Sequence, residues 1–316
     1  MADGVRLSSF FDIVVPVFAL VGIGYGAAVV GLFDAASTRA LSRFVFQIAL
    51  PVMLFSSMAT AGTPTELVPS YLVAYFGGVA ICGALGALAA ARLGRRSAAE
   101  RVIVGFSASY GNVVLLGIPL VLRALGEAAS LPLFLLVSFH GPIMMTIVTI
   151  LLERDSVHGG VGSRLLGVAR GLGTNPILIG LVGGIGFAAS GLTLPSPIAA
   201  SAELLGRAAL PTALFAMGAS LAGYRIQGAL APAMVIVGLK TILQPLVVWI
   251  LVDYAFAIAS PWSDTAILLA AMPTGVNAYL FAARYRAGEP EAATALLLST
   301  AFSLLTVSVI LALRLG

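Results

Sequence analysis

The chain has 316 residues, of which 60% are hydrophobic and 9% charged; its net charge is +4 and its mean hydropathy is +1.07. Soluble domains carry about 25% charged residues, so this composition excludes a water-soluble fold. The basic residues are dispersed and lack interleaved aromatic residues, which argues against a nucleic-acid partner, and the single cysteine, Cys82, excludes an intrachain disulfide. We therefore expect the chain to lie in a lipid bilayer.

Apolar segments of about 20 residues, the length that crosses a bilayer, follow one another along the chain. Ten are predicted, near residues 10–31, 40–60, 68–91, 102–123, 131–152, 171–191, 202–222, 229–252, 264–285 and 291–313. The first is long enough to span and lacks a clear small-residue cleavage site, so we interpret it as a retained helix. The connections are too short to fold independently, and no soluble domain is predicted.

The arginines predict the orientation of these spans. Twelve of them fall on one side: Arg39, Arg43, Arg92, Arg95, Arg96, Arg101, Arg154, Arg164, Arg170, Arg225, Arg284 and Arg286. The other side receives four: Arg6, Arg123, Arg207 and Arg314. Because cytoplasmic loops are enriched in basic residues, both termini are predicted to lie outside the cytoplasm.

An internal repeat divides the chain. The pattern A-L-P-x-x-L-F occurs at residues 49–55 and again at 209–215, an offset of 160. Other pairs with offsets of 160 to 162 are Pro16 and Pro176, Gly31-Leu32 and Gly191-Leu192, and Gly126-Glu127 and Gly288-Glu289. Single matches can arise by chance in a sequence this rich in Gly, Ala and Leu, but several collinear matches favour a true repeat. We predict five-helix halves at residues 1–152 and 171–316, joined by a short cytoplasmic connection at 153–170.

An odd number of spans in each half makes the second half run through the membrane in the opposite sense, as an inverted repeat. Spans 4 and 9 carry matching helix-breaking residues, in SYGNVVLLGIP at 109–119 and AMPTGVNAY at 271–279. Proline and glycine interrupt helices, and freed backbone groups at membrane depth are tolerated only next to protein or a polar cavity. Paired interruptions predict a midplane binding site whose half-helix ends suit an anion. Ordinary kinks that serve packing are the alternative.

An ordered set of motifs over nearly the whole chain resembles the auxin efflux carrier family: ALPVMLF, GNVVLLGIPLV, NPILIGLVGGIG, LPTALFAMGASL, LKTILQPLVVWIL and MPTGVNAYLFAARY. The resemblance implies an all-α integral membrane protein of ten helices in two inverted repeats, like the bile acid/sodium symporters, with broken helices 4 and 9 crossing. It also implies a scaffold, a moving transport domain and a small organic anion as substrate. A compact member of this kind, without the long loop of plant carriers, implies the inner membrane of a bacterium and the possibility of a homodimer.

Carried over to this sequence, the family pattern assigns Asn112 and Pro119 to the first crossing helix, and Pro273, Thr274, Gly275 and Asn277 to the second. Gly111 and Tyr110 adjoin the first interruption, where Tyr110 could stack on an aromatic substrate or merely fill space. Three further positions are predicted to serve as hinges or in packing: Pro51, Pro211 and Gly117.

Two ionisable residues fall well inside predicted spans, where charges are functional candidates. Lys240, the only lysine, could neutralise a substrate carboxylate, sense protonation or snorkel to the interface. His140 could titrate near neutral pH and couple transport to protons, or be a hydrogen-bonded structural residue. No Asp or Glu lies near the interruptions, which disfavours carboxylate coupling.

These features favour anion efflux driven by the membrane potential, with a sodium- or proton-coupled carboxylate symporter as the alternative and a channel as a weaker one. The sequence lacks G-x-S-x-G and H-E-x-x-H motifs, so an enzyme is not expected. No cofactor or metal site is predicted, and the expected partners are the anion and the bilayer.

Overall fold

The computed structural model describes residues 2–61, 68–92, 96–153, 169–226 and 230–315. In this part of the chain the regular structure is helical, with one isolated β-bridge and no strand. The α-helices are α1 (Ala2–Val29), α2 (Ala35–Phe44), α3 (Leu50–Ala61), α4 (Pro69–Arg92), α5 (Ala98–Ser107), α6 (Ile118–Leu125), α7 (Ser130–Leu152), α8 (Pro176–Ala189), α9 (Ser196–Leu221), α10 (Leu230–Gly238), α11 (Gln244–Ile250), α12 (Trp262–Ala270), α13 (Val276–Tyr285) and α14 (Glu289–Leu315). Most of the predicted connection at 153–170 lies outside the described residues.

Short π-helical turns join or extend several of these helices. Val45–Ala49 links α2 to α3, Val113–Gly117 precedes α6, Leu239–Leu243 links α10 to α11, and Leu251–Ala255 extends α11. A π-helical turn holds an extra residue, is rare, and is found frequently at functional sites. No sequence motif predicts these π-helical turns.

Six described helical runs are long and apolar enough to cross a membrane: Ala35–Thr60, Pro69–Arg92, Glu127–Leu152, Ser196–Leu221, Leu230–Ala255 and Glu289–Arg314. Three shorter apolar helices are Ile13–Val29, Val113–Leu125 and Pro176–Ala189. The chain is therefore a multi-pass, all-helical membrane protein within its described part. The count of ten spans stays a prediction.

Four helices pack through close glycine contacts that occur twice. A Cβ added to Gly24 in α1 would lie 2.1 Å from the carbonyl oxygen of Phe215 in α9. A Cβ added to Gly184 in α8 would lie 2.6 Å from the carbonyl oxygen of Phe55 in α3. Gly24 and Gly184 stand 160 residues apart, as do Phe55 and Phe215. The sequence repeat is thus matched by a repeated contact between helices. Only glycine permits the two backbones to approach this closely.

The remaining long helices are linked at their ends by polar contacts. Arg314, near the end of α14, pairs with Asp264 in α12 at 2.6 Å and with Asp253, while its guanidinium lies over the ring of Trp249. At the other end of α14, Glu291 pairs at 2.8 Å with Arg96, which lies just before α5. These contacts tie the end of α14 to α12 and its start to the segment that leads into α5.

Candidate functional site

The two helix-breaking motifs coincide with interruptions of the helices. Helix α5 ends at Ser107, and helical structure begins again at Val113; α12 ends at Ala270, and α13 begins at Val276. The first residue after each helix, Ala108 and Ala271, has the same backbone conformation, with φ −77° and ψ −8°. The two interruptions therefore begin in the same way, 163 residues apart.

The interruptions contact each other through reciprocal backbone hydrogen bonds. The N–H of Asn112 donates to the carbonyl of Pro273 at 2.8 Å, and the N–H of Gly275 donates to the carbonyl of Tyr110 at 2.9 Å. Gly111 lies opposite Thr274 in the resulting antiparallel bridge. An unsatisfied backbone group at membrane depth costs several kcal/mol, so this pairing stabilises both interruptions together.

Thr274 anchors this bridge on the side away from the cavity that is described below. Its side chain is fully buried, and its hydroxyl donates to the carbonyl of Ser107 at 3.0 Å. Its backbone N–H donates to the hydroxyl of Ser299 in α14, also at 3.0 Å. Both the backbone N–H and the hydroxyl of Thr274 are thus used in hydrogen bonds within the protein.

A cavity of about 800 Å³ lies in front of the bridge. Six of the predicted site residues line it: Tyr110, Gly111, Asn112, His140, Gly275 and Asn277. Four others, Pro119, Pro273, Thr274 and Lys240, lie outside this lining. The predicted packing positions also lie outside it: Pro51 in α3, Pro211 in α9, and Gly117, at which a Cβ would meet the side chain of Leu269 at 2.8 Å.

Asn112 gives the cavity an unused hydrogen-bond donor. Its side-chain nitrogen is buried and has no hydrogen-bond partner in the described structure, although the residue lines the cavity. Both helical segments that begin at the interruptions, at Val113 and Val276, also line it. The first turn of a helix leaves backbone N–H groups without helical partners and carries a partial positive charge. An anionic group is the ligand that this arrangement suits.

Tyr110 forms part of the cavity wall. Its ring stacks on His140 with centroids 4.9 Å apart and packs near Phe106 at 4.8 Å. Its hydroxyl accepts a hydrogen bond of 2.9 Å from the side-chain nitrogen of Asn277. With 7% of its surface exposed, Tyr110 offers little ring face to a ligand, which favours the space-filling interpretation over stacking on an aromatic substrate.

His140 is fully buried beside Tyr110. Its Nδ1 lies 3.3 Å from the hydroxyl of Tyr75, and its Nε2 has no partner among the described residues. His140 therefore lies in the cavity wall with its Nδ1 in contact with Tyr75 and its Nε2 buried.

Lys240 lies behind the bridge, on the π-helical turn between α10 and α11. It is fully buried, and its Nζ donates to the carbonyl of Ala270 at 2.7 Å, at the end of α12. A Cβ on Gly111 would lie 3.4 Å from that Nζ. The ammonium is therefore separated from the cavity by the backbone of Gly111, and it is buried too deeply to snorkel.

Sequence reasoning missed several polar residues that line the cavity. Arg39 and Asp34 are exposed at its mouth, and the sequence indicates only a topological role for Arg39. Asn175 also lines it, although its side chain is occupied, accepting from the N–H of Ile177 at 3.0 Å as the N-cap of α8 and donating to the carbonyl of Ser138 at 3.2 Å. The N-cap could have been read from the Asn-Pro pair, but its proximity to the cavity could not.

Comparison with known proteins identifies the family. A family model described as "Membrane transport protein" matches residues 9–159 and 164–311. A protein of Rhizobium meliloti (strain 1021), named "Putative malonate transporter", is 29% identical over 308 residues, which cover 96% of this chain and 95% of the relative. The chain belongs to this family of membrane transport proteins, that of the auxin efflux carriers, and is a membrane transporter rather than an enzyme.

Proposed function

We propose that this transporter moves a small organic anion by alternating access and binds it in the cavity where the two helix interruptions meet. The observation that carries the proposal is the side-chain nitrogen of Asn112, which is buried without a partner in the described structure on a residue that lines that cavity. Two helix beginnings add backbone N–H groups and partial positive charge. Together they form a neutral, donor-rich site for a carboxylate.

The proposed architecture is ten spans in two inverted five-helix repeats. Support comes from the duplicated glycine contacts of Gly24 and Gly184 and from the matched conformations of Ala108 and Ala271. Positive φ angles also recur at offsets of 160 and 162: 83° at Gly31 and 70° at Gly191, and 68° at Gly126 and 62° at Gly288. An inverted repeat supplies two related states of one chain, the condition for alternating access.

Two groups of helices would move relative to each other. We assign α1, α3, α8 and α9, joined by the glycine contacts, to a scaffold, together with α2, which continues into α3. The transport domain then contains the interruptions together with α4, α7, α10, α11 and α14, and the end contacts of Arg314 and Arg96 hold it together. Because the cavity lies between residues of both groups, displacement of one group against the other would open it to alternate sides.

The proposed direction of transport follows from the distribution of arginines and from the membrane potential. The exposed residues Asp34 and Arg39 mark the mouth of the cavity, and the arginine distribution predicts that this mouth faces the cytoplasm of a bacterium. A cell interior that is electrically negative drives an anion outward, so we propose efflux. Both termini would lie outside the cytoplasm.

We propose a small carboxylate, malonate or a similar mono- or dicarboxylate, as the substrate. The name of the Rhizobium relative and the donor-rich cavity support this class. The acidic side chain in the cavity lining is Asp34 at the mouth, away from the interruptions, which favours uniport over carboxylate-based coupling. The second candidate is a sodium- or proton-coupled carboxylate symporter, in which His140, the histidine in the cavity lining, would be the titratable group.

Electrical recording from proteoliposomes that contain the purified protein tests the proposal. Malonate and indole-3-acetate are added with and without sodium or pH gradients. A saturable current in the absence of both gradients is expected, lost in Asn112→Ala and retained in Ser42→Ala. Ser42 is a matched control because it lines the same cavity, but its hydroxyl bonds within its own helix, to the carbonyl of Thr38 at 2.9 Å.

The other outcomes separate the alternatives. A current that requires a sodium or pH gradient would replace uniport by the coupled symporter. A current that does not saturate would indicate a channel, and transport unchanged by Asn112→Ala would remove the cavity from the mechanism.

A further inference from the structure

Lys240 is a buried ionisable group for which the described structure shows no counter-charge. It is fully buried, and no carboxylate pairs with it in the described part of the chain. Its Nζ bonds instead to the carbonyl of Ala270, the last residue of α12. The end of a helix has carbonyls without helical partners and a partial negative charge, which stabilise an ammonium there without neutralising it.

This ammonium is next to the proposed anion site without being part of it. Gly111 lines the cavity, and a Cβ built on Gly111 would lie 3.3 Å from Cε of Lys240 and 3.4 Å from its Nζ. Only the thickness of one backbone segment therefore separates the charge from the cavity. At such a distance in a medium of low dielectric constant, the ammonium attracts an anion strongly.

Lys240 is also bound to the same group of helices as the interruptions. Its Nζ holds the end of α12 at the second interruption. One turn further along, the side-chain nitrogen of Gln244 donates to the carbonyl of Ser109 at the first interruption, at 3.3 Å. In the proposed movement of the transport domain, Lys240 would therefore cross the same part of the membrane field as the interruptions and the bound anion.

We infer that Lys240 is a charge-compensating residue, which travels with the substrate and offsets one of its negative charges during the loaded step. This inference rests on the proposed function. A dianion such as malonate then crosses as a single negative charge, and a monoanion crosses without net charge. With Lys240 protonated throughout the cycle, the unloaded protein returns carrying one positive charge, and the net charge moved in a full cycle equals that of the substrate.

Exchange of malonate isolates the loaded step. Proteoliposomes with malonate on both sides are given radiolabelled malonate, and the exchange rate is measured at membrane potentials set by potassium gradients and valinomycin. In the wild-type protein, the exchange rate is expected to depend on potential as if about one elementary charge crossed the membrane. In Lys240→Gln it is expected to depend on potential as if about two crossed, so the exchange rate changes more steeply with potential. Lys240→Arg keeps the charge and is expected to respond like the wild type.

A merely structural lysine would change the exchange rate without changing this steepness. Equal steepness in the wild type and Lys240→Gln therefore overturns the inference. If Lys240→Gln does not transport, the wild type is tested with malonamate, the monoanionic half-amide of malonate. Exchange of malonamate independent of potential supports the inference, and exchange that depends on potential overturns it. A wild-type protein that transports none of the tested carboxylates refutes the proposed function itself, a result distinct from transport with the wrong steepness.

Discussion

The backbone N–H of Asn112 donates a hydrogen bond of 2.8 Å to the carbonyl oxygen of Pro273, across the point where two interrupted helices meet. Each of these residues lies in a segment that could not remain in the membrane alone, because its free polar groups would lack partners. Since each interruption satisfies the other, a change in one is expected to affect both. The predictions below follow from this mutual dependence and from the packing around it.

The repeated glycine contact predicts equal effects in the two halves. Gly24→Ala and Gly184→Ala each place a methyl group less than 3 Å from a backbone carbonyl oxygen. Each is expected to lower stability by roughly 1–3 kcal/mol, because neither backbone can yield easily. Thermal unfolding in detergent measures the effect.

Gly26→Ala and Gly186→Ala are the matched controls, since a Cβ at either position meets nothing within 4 Å and the two again stand 160 residues apart. They are expected to be neutral or slightly stabilising, as alanine favours helix. Destabilisation by only one of Gly24→Ala and Gly184→Ala would count against equivalent packing in the halves.

Gly275→Ala is expected to distort the cavity. The added Cβ would lie 2.5 Å from Cε1 of Tyr110, whose ring is held by His140 and by the hydrogen bond from Asn277. If binding needs the undistorted wall, an overpacking cost of about 1–3 kcal/mol lowers malonate affinity about 5- to 160-fold. Isothermal titration of purified protein measures the affinity.

The double variant Gly275→Ala with Tyr110→Ala removes the atoms that clash and serves as the control. It is expected to restore part of the stability that Gly275→Ala loses, measured by thermal unfolding. Malonate affinity equal to that of the wild type in Gly275→Ala would mean that this wall does not shape the binding site.

Arg39→Gln is expected to weaken capture of the anion at the mouth of the cavity. A unit charge about 4 Å from an anion contributes about 1 kcal/mol in water, so KM should rise about fivefold at low salt with little change in kcat. Added salt should reduce the difference. Arg43→Gln is the control, because Arg43 is exposed on the same helix but does not line the cavity. An equal rise in KM for both variants would indicate a general surface charge effect.

Arg314→Ala is expected to loosen the proposed transport domain. It leaves Asp253 and Asp264 without their shared cation, and the arginine side chain is 18% exposed. The loss of stability should lie between the values that are typical of breaking an exposed salt bridge and a buried one, at roughly 1–3 kcal/mol. Arg207→Ala, which breaks the exposed pair with Glu203, should change stability by less than about 1 kcal/mol. Thermal unfolding of the two variants at equal detergent concentration checks the difference.

Periodicity and composition predicted the membrane setting and located the interruptions, because apolar length and helix-breaking residues are properties of local sequence. The motif containing Asn112 coincides with the gap between α5 and α6, and the motif containing Pro273 coincides with the gap between α12 and α13. The hydrogen bonds that join them could not be predicted, since they depend on how distant helices cross.

The side of the bridge on which each residue lies was also beyond the sequence. Asn112 and Thr274 belong to matching motifs, yet Asn112 lines the cavity while the hydroxyl of Thr274 bonds to Ser107 behind it. The sequence predicts Lys240 as a substrate contact, whereas in the structure it lies behind Gly111, on a π-helical turn. The sequence marks Arg39 only as one of the basic residues between two spans, and its place at the cavity mouth depends on the packing of α2.

Lys240 makes the two halves chemically unequal. The second half holds the only lysine of the chain, and it binds the end of α12; the corresponding end of α5, at Ser107, receives a threonine hydroxyl instead. A perfectly symmetric protein of this kind would divide equally between its inward- and outward-open forms when empty. A single lysine beside one interruption makes the two forms unequal in free energy, so we expect the empty protein to rest mainly in one of them. The membrane voltage would set the ratio of the two forms.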